Sequence, residues 1–123
     1  MTENEISYII RGAIFKVFNA LGPGLLESVY EACTAYEIQK LGMKAETQVV
    51  VPVKYQSVFI ETGLRLDIWI EKSVIVECKA VEMMNRLYEA QLLTYLRITH
   101  LKVGLLINFN VPILKDGIKR LIL

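Results

Sequence analysis

Cysteine and histidine are almost missing from this chain of 123 residues: there are two cysteines, Cys33 and Cys78, and one histidine, His100. No CxxC occurs, so neither a disulfide framework nor a Cys/His zinc site is expected. Any metal would have to sit on oxygen ligands. Net charge is nearly missing too, with 14 Lys and Arg against 13 Asp and Glu, leaving +1. That excludes a protein that holds nucleic acid by bulk positive charge, though not one with a local basic surface. Long apolar runs are also lacking. Val74–Val76 and Leu105–Ile107 fall far short of the ~20 residues that a membrane-spanning helix needs. The opening MTENEISYII is acidic and polar before its first apolar residues, unlike a signal peptide. The expectation is a reduced, cytoplasmic protein with no membrane contact.

What is present is apolar matter for a core. The chain is 54% hydrophobic and 22% charged, with a mean hydropathy of +0.40. Such a chain buries a core, is no candidate for disorder, and has apolar surface to offer a partner subunit. Residues 1–123 read as one domain. Ile6, Ile10, Ala13, Ile14, Val17 and Leu21 follow helical spacing, with Thr2 or Asn4 as cap and Gly22-Pro23-Gly24 as stop. A second helix is expected from about Leu25 to Leu41, ended by Gly42. Gln48–Tyr55 reads as a strand, with Pro52 marking an edge or bulge. Val58–Glu61 reads as a short second strand and Leu64–Ile70 as a third, alternating cleanly. Val74–Lys79 follows a tight turn at Glu71–Ser73. Asn85 caps a third helix, Arg86 to about Thr99, with Leu87, Leu92, Tyr95 and Leu96 in its apolar stripe. Val103–Phe109 reads as a strand buried on both faces, and Ile118–Leu123 as a last apolar segment. The fold class is α/β of the α+β type, in the order α-α-β-β-β-β-α-β. The step from Val74 to Phe109 is expected to be a right-handed parallel crossover.

The turn at Glu71–Ser73 fixes a register. If it is centred on Lys72, Asp67 lies opposite Glu77, and opposed residues point to one face with Cβ atoms ~4.5–5.5 Å apart. Two adjacent carboxylates repel unless something positive sits between them. Lys79 shares their face. The set is two carboxylates able to share a divalent cation, with an ammonium beside them. Mg²⁺ is held by one or two carboxylates plus water and phosphate. A neighbouring lysine orients a water or neutralises charge developing on phosphorus. From spacing alone, a solvated salt-bridge cluster is the competing reading.

The run Asp67…Glu77-Cys78-Lys79 resembles the signature of the PD-(D/E)XK nuclease superfamily. Gly24-Leu25-Leu26-Glu27-Ser28-Val29-Tyr30 reproduces G-x-x-E-x-x-Y, the pattern that names the small GxxExxY proteins of that superfamily. The likeness runs on through Glu89–Leu96 and Gly104–Asn110, so it covers the chain from Ile6 to its end. It implies Asp67, Glu77, Glu27 and the backbone carbonyl of Cys78 as ligands of Mg²⁺ or Mn²⁺, and Lys79 as the catalytic lysine. It implies Gln91 as the polar residue that closes the site. Tyr30, one helical turn beyond Glu27, is expected to buttress it or meet substrate. Arg65, Trp69, Arg86 and Tyr95 are further candidates for supporting or contacting substrate. Phe18 departs from the family pattern, where a His is expected.

The function implied is a metal-dependent nuclease that cleaves phosphodiester bonds of DNA or RNA with an activated water. The alternative is an inactive nuclease-fold module that binds nucleic acid or a protein partner as an oligomer; fold alone does not choose. The charge distribution leaves room for nucleic acid. Residues 1–82 carry 11 acids and 8 bases, a net −3, and residues 83–123 carry 2 acids and 6 bases, a net +4. The basic excess consists of Arg86, Arg97, Lys102, Lys115, Lys119 and Arg120.

Overall fold

A computed structural model describes residues 1–123. Helix α1 spans Glu3–Leu21, and Thr2 caps it by accepting the Glu5 N–H at 3.2 Å. Its stripe Ile6, Ile10, Ala13, Ile14 and Val17 is buried. Gly22 ends it with φ 70, a left-handed value that glycine takes without strain, and its N–H returns to the Phe18 carbonyl. Helix α2 spans Glu27–Lys40, starting later than the spacing predicts. The cause is Tyr30, whose hydroxyl accepts the Leu25 N–H at 3.0 Å and donates to the Gly22 carbonyl at 2.6 Å. That bond pair holds residues 22–26 as a turn.

The sheet has five strands in the order β1-β2-β3-β4-β5: β1 Ala45–Tyr55, β2 Val58–Ile70, β3 Val74–Lys79, β4 Val103–Asn108 and β5 Ile118–Ile122. Only β3 and β4 pair in parallel, joined by helix α3, Arg86–Thr99. The other neighbours are antiparallel. This is the α+β architecture expected. Two segments read separately, Val58–Glu61 and Leu64–Ile70, run on as the single strand β2, because the long strand β1 pairs with both. The register slips between Val51 and Val53, at Pro52, whose missing N–H interrupts the edge strand there. The last apolar segment supplies β5. No helix is long and apolar enough to cross a membrane.

Helices α1 and α2 cover one side of the sheet and α3 the other. The larger core joins Ile6, Ile10, Ile14 and Ile38 to Ile68, Ile70, Val74 and Val76. The smaller joins Leu92 and Leu96 of α3 to Leu64, Leu66, Ile75, Leu106 and Leu121. Gly104 on β4 allows α3 this close, since a Cβ there would stand 2.9 Å from Leu92 Cδ1. Leu87, expected in the stripe of α3, is 68% exposed; Tyr88 packs on the smaller core instead. Leu64 and Leu66 share strand parity with Ile68 and Ile70, yet pack on the opposite side. The pairing of β1 with β2 passes from Thr47–Ile68 to Val49–Leu66, and Gln48, between them, has φ 53. The hairpin therefore reverses its faces at the level of Asp67.

Candidate active site

The turn expected at Glu71–Ser73 forms with left-handed backbone at Glu71 and Lys72, and β2 and β3 pair around it. Ile70 faces Val74, Trp69 faces Ile75 and Ile68 faces Val76. One step further the ladder ends. The Asp67 N–H donates to Glu77 Oε2 at 2.8 Å, and the Cys78 N–H donates to Asp67 Oδ2 at 2.8 Å. Each carboxylate thus satisfies a backbone donor of the other's strand where ladder bonds would otherwise stand. The strands separate around two acids that are tied to them.

Glu77 is 4% exposed. Burial, and then the charge of Asp67, push its carboxyl up to about 8. Burial also raises Asp67, against the Cys78 N–H and the Lys79 charge, which hold it down. Lys79 forms none of the four ion pairs in the molecule. Its Nζ stands over the Tyr88 ring, 4.6 Å from the centroid, a cation–π arrangement that holds the ammonium near the acids without neutralising them by contact. Tyr95 of α3 packs on the smaller core, and burial raises its hydroxyl, with the charges of Glu77 and Asp67 adding to it.

Glu27 reaches the same end of β3 from α2. It is exposed, and its Oε2 accepts the Ala80 N–H at 2.8 Å, just past the strand. The Cys78 thiol is buried in the larger core, and burial holds it well above its ordinary range. Only the backbone of Cys78 is left for the site. Gln91 is exposed on α3 and makes no hydrogen bond to the acids. Arg65 and Arg86 are exposed and unpaired. Trp69 packs on the smaller core, its Nε1 buried without a partner. Of the two roles expected of Tyr30, burial corrects only contact with substrate: the side chain is fully buried, stacked on Phe109 with ring centroids 4.3 Å apart. Its work is to fix the turn that presents Glu27. The basic excess of the last third is partly engaged, with Lys119 on Glu89 at 2.7 Å and Arg120 on Asn4.

Three residues near the acids escaped the sequence reading. Glu31, 9% exposed on α2, receives Gln48 Nε2 on both oxygens at 2.9 Å. Its carboxyl is raised by burial, with Asp67 and Glu27 contributing. Its spacing of four from Glu27 was the available signal. Tyr88 was legible from the stripe through Leu92 and Tyr95. Gln48 left no signal, since a left-handed residue inside a strand has no pattern.

No three acidic, cysteine or histidine side chains converge to hold a metal ion by themselves. The donor chemistry still fits a hard cation. Two hydrogen-bonded carboxylates at a strand end, short of positive charge, are what Mg²⁺ takes from a protein when water and phosphate complete its shell. A family model described as the PD-(D/E)XK nuclease superfamily matches residues 4–121. No curated protein and no solved structure matches the chain.

Proposed function

This chain belongs to the PD-(D/E)XK nuclease superfamily, and from that premise we propose that it is a divalent-metal-dependent nuclease of the GxxExxY type, folded as one domain and acting on DNA or RNA. The observation that carries the reading is the reciprocal bonding of Asp67 and Glu77 to each other's strands. It presents two acids at one point with no side-chain cation in contact.

In this reading Asp67, Glu77 and the Cys78 carbonyl would hold Mg²⁺ or Mn²⁺, with Glu27 completing the protein's share. When bound, the ion supplies a Lewis acid for a phosphoryl oxygen and acidifies a water. The chain's residues do the rest. Glu77, whose carboxyl burial and the Asp67 charge lift to about 8, holds a proton at neutral pH that a cation bound there would displace. Lys79, steadied over Tyr88, orients the attacking water and meets the charge growing on phosphorus. Gln91 and Tyr95 close the site from α3, and Arg65 and Arg86 meet the backbone of the substrate.

The test is incubation of the pure protein with single- and double-stranded DNA and RNA, with and without Mg²⁺ or Mn²⁺. Cleavage is expected only with metal, and is lost in Lys79→Ala and Glu77→Ala. Cleavage by those variants at the wild-type rate sinks the proposal. One observation favours a second reading: without three converging ligands, the fold would serve as a module that binds nucleic acid, or a protein partner as an oligomer, without turnover. Metal-independent, salt-sensitive binding with no cleavage is its signature.

A further inference from the structure

Midway along β1, Gln48 has φ 53, a left-handed value that a non-glycine residue keeps within a strand only when its surroundings hold it there. It lies between the regular pairs Thr47–Ile68 and Val49–Leu66, so the residue it passes on β2 is Asp67. Its side chain turns to α2 and gives Nε2 to both oxygens of Glu31, each at 2.9 Å. Glu31 is buried, enters no ion pair and has no role in the chemistry above. Both hydrogen bonds of this amide go to Glu31, but the ladder sets Gln48 level with Asp67, whose carboxylate accepts the Cys78 N–H at 2.8 Å. An amide nitrogen carries two hydrogens, so one group can serve both acids.

We propose that Gln48 is a positioning residue for Asp67: Glu31 anchors the Gln48 amide on α2, and that amide fixes the Asp67 carboxylate where it accepts the Cys78 N–H. A buried acid and a strained backbone would otherwise both lack a use. The consequence for metal affinity rests on the nuclease reading; the effect on Asp67 does not.

The test uses the full-length protein, ¹⁵N-labelled and metal-free, with hydrogen exchange read at single amides. In Gln48→Leu, Asp67 loses its support and the Cys78 amide exchanges about tenfold faster or more. The Asp67 amide, bound by Glu77, and the Val76 amide keep their rates. Mn²⁺ binding, read by paramagnetic resonance, weakens about tenfold, the scale seen when a residue supporting a ligand is lost. Gln48→Asn tolerates the left-handed backbone but holds its amide one methylene short; it gives the same result, and guards against a leucine variant that does not fold. The exchanged pair Glu31→Gln with Gln48→Glu keeps an amide–carboxylate bond to α2 but turns an acceptor toward Asp67, and is expected to leave Cys78 unprotected. Unchanged Cys78 exchange in both single variants, or full protection in the exchanged pair, overturns the proposal. If Cys78 loses protection while the wild type takes up no Mn²⁺, the positioning role stands and the metal reading falls.

Discussion

Twenty buried side chains close the sheet beneath α1 and α2, whereas seven close it beneath α3. The deeper side is uniformly apolar around Ile10, Ile14, Ile68, Ile70 and Val76. The shallower side shares its strands with Asp67, Glu77 and Lys79. One strand, β3, serves both: Val74, Val76 and Cys78 face the deep core, while Ile75 lies in the shallow one and Glu77 and Lys79 follow it in alternation. Period two along a strand lets a single segment contribute to stability and to a polar site without mixing them. The two sides should therefore respond to substitution in different measurements.

The sharpest break comes from the polar side. Lys79→Ala and Glu77→Gln are expected to lower cleavage by about 10²- to 10⁴-fold, the range for losing one acid–base or electrostatic group. Thermal unfolding of Glu77→Gln without metal should be no lower than wild type, because a buried acid beside Asp67 is replaced by a neutral side chain. A fall in stability together with activity would erase the division between the sides.

On the deep side, Ile14→Ala or Ile68→Ala should cost about 2–5 kcal/mol in denaturant unfolding, the range for emptying a fully buried aliphatic site. Leu92→Ala, under α3, is expected at the low end of that range, since fewer neighbours surround the cavity. An equal or larger cost for Leu92 would contradict the contrast.

The third test uses pH. Glu77 in the folded chain titrates at about 8 against an ordinary 4.5, so between those values the folded state holds a proton that the unfolded state has released. The contribution is complete below pH 4.5 and is lost as pH rises through 8. Asp67 shifts in the same direction. Metal-free protein should therefore melt at a lower temperature at pH 8.5 than at pH 5. Glu77→Gln should flatten most of that slope, and Mg²⁺ at pH 8.5 should restore stability by pairing with the carboxylate that has lost its proton. A melting temperature that rises with pH in the absence of metal would refute this.

The smallest effect belongs to the surface. Lys119→Ala removes the bond to Glu89 that ties β5 to α3, and should change stability by less than about 0.5 kcal/mol. A larger loss would mean that the shallow side depends on its rim.

Local rules made much of this legible in the chain itself. Helical spacing and caps gave α1, and period two gave the strands. The turn centred on Lys72 gave the pairing of Trp69 with Ile75, and so the approach of Asp67 to Glu77. These are short-range matters, decided within a turn or two of backbone. Tertiary structure decided the rest. Asp67 and Glu77 bond across opened strands because β1 forces β2 to reverse its faces at Gln48. Lys79 stands over Tyr88 because Gly104 lets α3 settle against β4. Tyr30 is buried because Phe109, far along the chain, offers it a ring. Glu31 meets Gln48 because α2 crosses β1 at that height. Each of these contacts joins residues distant in sequence, where neither periodicity nor capping carries information and only the packing of whole elements selects the partner.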